Sequence, residues 1–394
     1  MKLLWVKADF LHPTTAGGQI RTLETLKRLH VRHELHYVAL TWPGCDEGPA
    51  RAGEYSSRAF PVLHQAPSKT SLAFALQAAG ATVSSMPLAI SRWNPPSLRR
   101  KVSELRAREG YDAVFCDFLA SAPSFEQLDD VILFQHNVET MIWRRHAEVA
   151  RGLARRWYFR LQAERMERYE RKVCQSVRRV IAVSESDSKT MQGLFGLESV
   201  PAVPTGVDTE VFAPQPAEPV ADLIFLGSMD WMPNIDGVQH FYKEIWPLIV
   251  ERRPETTLAI VGRRPSNAIV ELSRLDSRIV VTGTVDDVRP YLWGSQVSIV
   301  PLRVGGGTRL KIYESMAAGL ACVSTTIGAE GLEIHPPHDI RIADEPEDFA
   351  RQCLELLDDA KTRQSVAQAG LEMVRESFSW ESVTDRFEAA AGLR

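Results

Sequence analysis

The chain is an α/β protein built from two doubly wound domains, and three observations predict it. Short apolar runs alternate with helical patterns along all 394 residues, the pattern of parallel sheets flanked by helices. That length exceeds what one core usually organises. The alternation is interrupted once, at Val203-Pro204-Thr205-Gly206-Val207-Asp208 and the proline-rich Ala213–Pro219, which can neither continue a helix nor pair in a central strand.

Taken in order, the first half offers strands at Leu3–Val6, Glu34–Leu40, Ala113–Cys116, Val131–Gln135 and Val180–Val183. Helices are expected over Gly18–Leu29, Pro96–Arg108 and Arg151–Ser176, and Cys45–Ser68 reads as an irregular mobile surface loop. The second half restarts with strands at Leu223–Leu226, Thr257–Val261, Ile279–Thr282 and Val297–Val300. Its helices cover Ile235–Arg252, Leu310–Ala318, Pro346–Asp359 and Ala360–Phe378. The expected domains are residues 1–205 and 206–378. In such sheets ligands sit at the carboxyl ends of the strands, so both domains are expected to face a cleft with those ends.

Composition narrows the setting. Five scattered cysteines, odd in number and without metal-ligand spacing, favour free thiols in a reducing compartment. No apolar run reaches the ~18 residues of a membrane span. The net charge of -4 hides an asymmetry: residues 1–205 carry 28 Lys/Arg against 21 Asp/Glu, the remainder 18 against 29. Ten of the basic residues lie in Arg144–Lys172 with four Glu. Glu164, Glu167 and Glu170 among them fit a solvated helix with internal ion pairs. The interleaved Trp143, Trp157, Tyr158 and Phe159 also suit an anionic membrane surface or a lipid-diphosphate acceptor. The overall acidity argues against nucleic acid.

The chemistry concentrates in Val300-Pro301-Leu302-Arg303-Val304-Gly305-Gly306-Gly307-Thr308-Arg309-Leu310-Lys311-Ile312-Tyr313-Glu314. A strand ends in three glycines and a helix follows, an arrangement that admits a phosphate to backbone amides. Arg303, Arg309 and Lys311 add positive charge, and Glu314, one turn beyond Lys311, can accept hydrogen bonds from a ribose diol. A nucleoside-diphosphate sugar is therefore the expected ligand. In the first half, Gly17-Gly18 follows the first strand, and His136 ends a buried one with Glu139 three residues on. Asp230, Trp231 and Asn234 form either a capping turn, with Asn234 as cap, or part of the ligand site.

These pieces together resemble the nucleotide-sugar glycosyltransferases of GT-B architecture, two Rossmann-like domains, in glycosyltransferase family 4. The likeness runs through Val203–Asp208, Ile260-Val261-Gly262-Arg263, Val281-Thr282-Gly283-Thr284-Val285, Tyr313–Gly319 and, near the end, Phe378-Ser379-Trp380. In the first half it includes Gly17-Gly18, Gln135-His136-Asn137 and Ala182-Val183-Ser184. It implies sugar transfer with retention at the anomeric carbon, no metal and no other cofactor. It implies a last helix, residues 379–394, crossing back onto the first domain. His136 corresponds to the family's sugar-contacting histidine, the backbone at Thr284 and Val285 to the loop that reads the base, and Arg263 to the donor side.

Two departures stand out. The family's carboxylate eight positions before Glu314 is here Gly306, and the loop Gly227-Ser228-Met229-Asp230-Trp231-Met232-Pro233-Asn234 lacks the usual Arg and Lys. The pattern is similar to a branch found in bacterial exopolysaccharide and secondary-metabolite pathways. The expected acceptor is a glycan, lipid-linked or small-molecule hydroxyl; the cysteine usage points to a cytoplasmic enzyme, and the basic, aromatic stretch Arg144–Lys172 to peripheral membrane contact. An epimerase or hydrolase of the same fold, and a non-catalytic sugar- or lipid-binding scaffold, remain open alternatives.

Overall fold

The computed structural model describes the chain except residues 15–16, 65–85, 92, 94, 150–151 and 305–309. The described chain forms two compact units: Met1–Val203 with Thr384–Arg394, and Pro204–Val383. Each holds one parallel six-stranded sheet.

In the first unit the strands are β1 (Lys2–Asp9), β2 (Glu34–Thr41), β3 (Arg58–Leu63), β4 (Ala113–Asp117), β5 (Val131–Gln135) and β6 (Arg179–Ala182). Their spatial order is β3-β2-β1-β4-β5-β6. The sequence therefore reverses direction between β1 and β4, and in doubly wound sheets the crevice at such a reversal is where ligands bind. The second unit repeats the plan with β7 (Ala221–Leu226), β8 (Leu258–Val261), β9 (Ile279–Gly283), β10 (Ser295–Val300), β11 (Ala321–Ser324) and β12 (Arg341–Ile342). Its order is β12-β11-β10-β7-β8-β9, with the reversal between β7 and β10. Two such Rossmann-like sheets are the architecture expected.

The core of the first unit is closed by the last helix, Trp380–Ala391. Phe387 packs on Trp5, Phe115 and Phe134 at centroid distances of 5.7, 5.6 and 5.0 Å. The same helix turns the buried Glu388 toward Arg32 and His33.

Three segments differ from expectation. Cys45–Ser68 contains a short helix at Glu47–Ala50, a 3-10 turn at Ala52–Glu54 and strand β3, so its described part is ordered structure. Pro61 lies inside β3, which pairs on one side only, the one position where a strand accommodates a missing N–H. The helix expected over Ile235–Arg252 is three segments: Met232–His240, a π turn at Phe241–Ile245 and Trp246–Arg252. Pro247 cannot donate to the preceding turn, and the wider turn absorbs the missing bond. Among the described residues, no helix is long and apolar enough to cross a membrane.

Candidate functional site

In the first unit, β4 ends in a fully buried carboxylate. Asp117 accepts hydrogen bonds from Trp5 Nε1 at 3.0 Å and Thr22 Oγ1 at 2.8 Å. Its Oδ2 lies 3.2 Å from the ammonium of Lys7, which is 2% exposed on β1. Despite burial, the charge of Lys7 and the neighbouring donors hold the Asp117 carboxyl well below the usual carboxylate range.

His136, one residue beyond β5, approaches Asp117 Oδ1 obliquely through Nε2 at 2.8 Å. Burial pushes the imidazole down to about 4, against the opposing pull of Asp117. The ring is therefore neutral at physiological pH. A neutral ring with its proton directed at the carboxylate carries its lone pair on Nδ1. That Nδ1 has no hydrogen-bond partner among the described residues, and it points toward the start of the Gly17–Arg32 helix. A Cβ on Gly18 would sit 3.7 Å from it and 2.7 Å from Phe118 Cζ. Only glycine fits there.

Phe118 makes this packing possible by adopting a left-handed backbone, φ 65°, that lays its ring on the imidazole at 4.0 Å and 6°. Lys7 Nζ lies 4.0 Å from the same ring's centroid. Arg21, on the helix begun by the glycines, is buried, and that burial lowers it to about 10 against the pull of Asp187 and Asp117. The structure thus joins Gly18, Arg21, Phe118 and His136 at the β1/β4 reversal. Glu139, three residues after His136 and so a candidate to orient it or to contact the acceptor, opens the helix Glu139–Val149; the carboxylate beside His136 is Asp117. Burial first, then the charge of Glu170, raises Glu139 to about 7. Lys7, Asp117 and Phe118 were not singled out from sequence, though Asp117 ends the apolar run Ala113–Cys116 just as His136 follows the run Val131–Phe134, the same kind of signal.

In the second unit, Gly305, Gly306, Gly307, Thr308 and Arg309 lie outside the described residues. Lys311 and Glu314 are on the helix Leu310–Ala317. The Lys311 ammonium donates to Asn234 Oδ1 at 2.9 Å and lies 4.5 Å from the Phe225 ring centroid. It comes so close to the end of β7 that a Cβ on Gly227 would meet it at 2.6 Å, while a Cβ on Gly262 would meet the Gly227 carbonyl at 1.8 Å. These two glycines let the strand ends and the cation converge. Asn234 does not cap its helix. Trp231 occupies the cap position, and the Asn234 amide instead bridges Ser228 O and Lys311.

Glu314, partly exposed one turn beyond Lys311, is raised by burial to about 7 against the lowering influence of Lys311. Arg263 donates to Ser228 Oγ at 2.8 Å, and Ser228 to Asp230 at 2.6 Å, with Arg264 3.5 Å from Asp230. The Ser228 hydrogen bond, followed by the arginine charges, keeps Asp230 below the usual carboxylate range. Arg303 is held in a two-point pair by Asp236 at 2.6 and 3.1 Å. Thr284 and Val285 follow β9 at the sheet edge, after Gly283 at φ 72°, two strands from Lys311.

Comparison with known proteins agrees with this fold. The profile of Glycosyltransferase Family 4 matches residues 15–211, and that of Glycosyl transferases group 1 matches residues 221–359. An uncharacterised 44.6 kDa protein in the cps region of Klebsiella pneumoniae is 19% identical, over 97% of both chains. The MMP alpha-(1->4)-mannosyltransferase of Mycolicibacterium hassiacum is 27% identical, over 59% of this chain and 56% of its own. Among solved structures, Anabaena HepE in complex with UDP superposes with a TM-score of 0.68 at 12% identity, covering 100% of both chains. With its two Rossmann-like units in GT-B architecture, the chain belongs to glycosyltransferase family 4, the glycosyl transferases group 1.

Proposed function

We propose that the protein is a retaining hexosyltransferase acting on a nucleoside-diphosphate sugar. One observation carries this reading: Lys311 is pinned at the β7 end by Asn234 with Glu314 one helical turn away. A fixed ammonium beside a carboxylate suits a diphosphate beside a ribose diol. Breaking the bond between the anomeric carbon and the β-phosphate oxygen leaves growing negative charge on the diphosphate. A cation already in place stabilises that charge without reorganising, so no metal or other cofactor is invoked. With retention, the acceptor oxygen bonds to the same face and its proton passes to the departing diphosphate oxygen.

In the first unit, His136 Nδ1 accepts a hydrogen bond from a hydroxyl of the transferring sugar, and the Gly17-Gly18 amides meet an anionic group. Glu139 serves the acceptor side, and Asp230, Arg263, Thr284 and Val285 border the donor. A thermal-shift panel of nucleoside diphosphates and their sugars tests the donor assignment. UDP is the first probe, because HepE is solved with UDP and with UDP-glucose. His136→Ala should lower turnover at least a hundredfold with UDP affinity within twofold, measured by steady-state kinetics and calorimetry. Equal loss of both would make His136 structural. Release of free sugar and UDP at full rate without any acceptor would indicate a hydrolase.

The acceptor class we infer is a glycan, lipid-linked or small-molecule hydroxyl, reached in the cytoplasm or at its anionic membrane face. The support is the start of the helix Leu153–Ser176. Leu153 and Trp157, one turn apart, are 86% and 67% exposed, with Arg155, Arg156 and Arg160 also exposed. Exposed apolar groups among basic ones favour an anionic bilayer, at about 1 kcal/mol per basic residue. Arg155→Glu with Arg156→Glu should weaken sedimentation with phosphatidylglycerol vesicles roughly thirtyfold, about 2 kcal/mol, and leave UDP affinity unchanged. Undiminished vesicle binding would exclude this surface.

A further inference from the structure

We propose that Glu170 is a positioning residue: acting through Gln135 from within the long basic helix, it fixes the stacked Phe118–His136 pair. What His136 then does rests on the glycosyl-transfer reading; the positioning itself rests on geometry.

Glu170 lies among Arg165, Arg168, Arg171 and Lys172 in sequence, yet it is fully buried and accepts hydrogen bonds from Gln135, Glu139 and Thr140. Oε1 accepts from Gln135 Nε2 and from the Glu139 amide, both at 2.9 Å. Oε2 accepts from the Thr140 amide at 2.8 Å and the Thr140 hydroxyl at 2.6 Å. Its surface neighbour behaves differently: Glu167 pairs with Arg144 and Arg171, as the charge pattern suggested for all three glutamates. Four donors on one desolvated carboxylate are a strong, directional anchor.

Part of this anchor is a helix cap lent by another helix, since the Glu139 and Thr140 amides open the helix Glu139–Val149. The cap does not account for Gln135. That amide is fully buried at the end of β5, and both its ends are tied. Nε2 reaches Glu170, while Oε1 accepts from the Leu119 backbone amide at 3.0 Å. Leu119 follows Phe118, whose left-handed backbone is costly for a residue with a Cβ. Phe118 N in turn donates to Phe134 O at 3.0 Å. One carboxylate therefore holds the residue before His136, two residues shortly after it, and the loop whose ring stacks on it. Asp117 orients the imidazole from the β4 side; Glu170 fixes the two turns that carry the stacked rings.

The primary variant is Gln135→Leu, which removes the relay and leaves the cap on Glu139 and Thr140 in place. Thr140→Val, which removes one cap bond and spares the relay, is the control. Histidine-labelled full-length protein is read by imidazole NMR, alongside UDP calorimetry and turnover. In Gln135→Leu the His136 ring signals should move and broaden, and kcat should fall at least tenfold with UDP affinity within twofold. Thr140→Val should leave the ring signals in place. Glu170→Gln should reproduce the Gln135→Leu changes with larger amplitude, and if circular dichroism shows it unfolded, the Gln135 result decides. Unchanged His136 signals in folded Gln135→Leu overturn the proposal, as does a matching fall of kcat and UDP affinity. If the wild type binds no nucleoside diphosphate, the transfer reading falls, while the ring signals still decide the positioning.

Discussion

Glu314→Gln should raise the stability of the unliganded protein at pH 8 and, on the proposed donor reading, weaken the binding of UDP-glucose used as probe. Burial lifts the Glu314 carboxyl from an ordinary 4.5 to about 7 in the folded chain, so its charge opposes folding. Below the unfolded value both states are protonated and the variant gains nothing. Between 4.5 and 7 the unfolded chain gives up its proton first, so wild-type stability falls as pH rises. Above 7 both states are ionised and the penalty is complete. Allowing for the partial exposure of the side chain, the amide gains about 1 kcal/mol in thermal or urea unfolding at pH 8. The same charge is what a ribose diol needs, and its loss costs about 2 kcal/mol of binding, roughly thirtyfold.

The pH dependence sharpens the test. UDP-glucose has no phosphate ionisation near neutrality, so wild-type affinity should rise with pH up to about 7 and level off, and the variant should be flat. A variant that keeps full affinity across that range would remove Glu314 from the ribose site. A gain in stability together with a loss in binding is the mark of a group retained for function.

Asp117→Ala should destabilise the first unit by about 3–5 kcal/mol in urea unfolding. It leaves the Lys7 ammonium buried without its counter-charge, and the Trp5 and Thr22 donors without their acceptor. Adding Lys7→Met removes the orphaned charge, and the double variant should recover at least about 2 kcal/mol of that loss. If the double variant is no better than Asp117→Ala, the pair does not act as a unit. The pH sign is the reverse of that for Glu314. Asp117 is held below its unfolded value, so its contribution is present above the usual carboxylate range. It is lost as pH falls toward the folded value, and wild-type acid unfolding should draw on it.

What could be read from sequence followed from locality. Val131–Gln135 and Pro96–Arg108 form the expected strand and helix to the residue, because each shows its own periodicity and its own boundary. His136 was legible as the polar residue that ends an apolar run. Lys7 and Asp117 obey the same logic but do not stand out, since a charge inside a buried strand makes sense only once its partner across the sheet is known. That partner lies on another strand, and no local pattern reveals it. Glu170 was hidden for a related reason: at helical spacing among arginines it looks like any surface glutamate. The loop after β7 lacks a base of its own, and Lys311 meets Asn234 across 77 positions. Strand β3 was concealed by Pro61, whose meaning depends on being at the edge.

The last helix has a consequence for synthesis. Its first turn belongs to the second unit, while the segment from Thr384 onward belongs to the first, where Phe387 fills the space between Trp5, Phe115 and Phe134. A nascent chain therefore cannot finish its first-made unit until residue 387 has left the ribosome. The half that is translated first completes its packing last, and until then its aromatic pocket at Trp5, Phe115 and Phe134 stays unfilled.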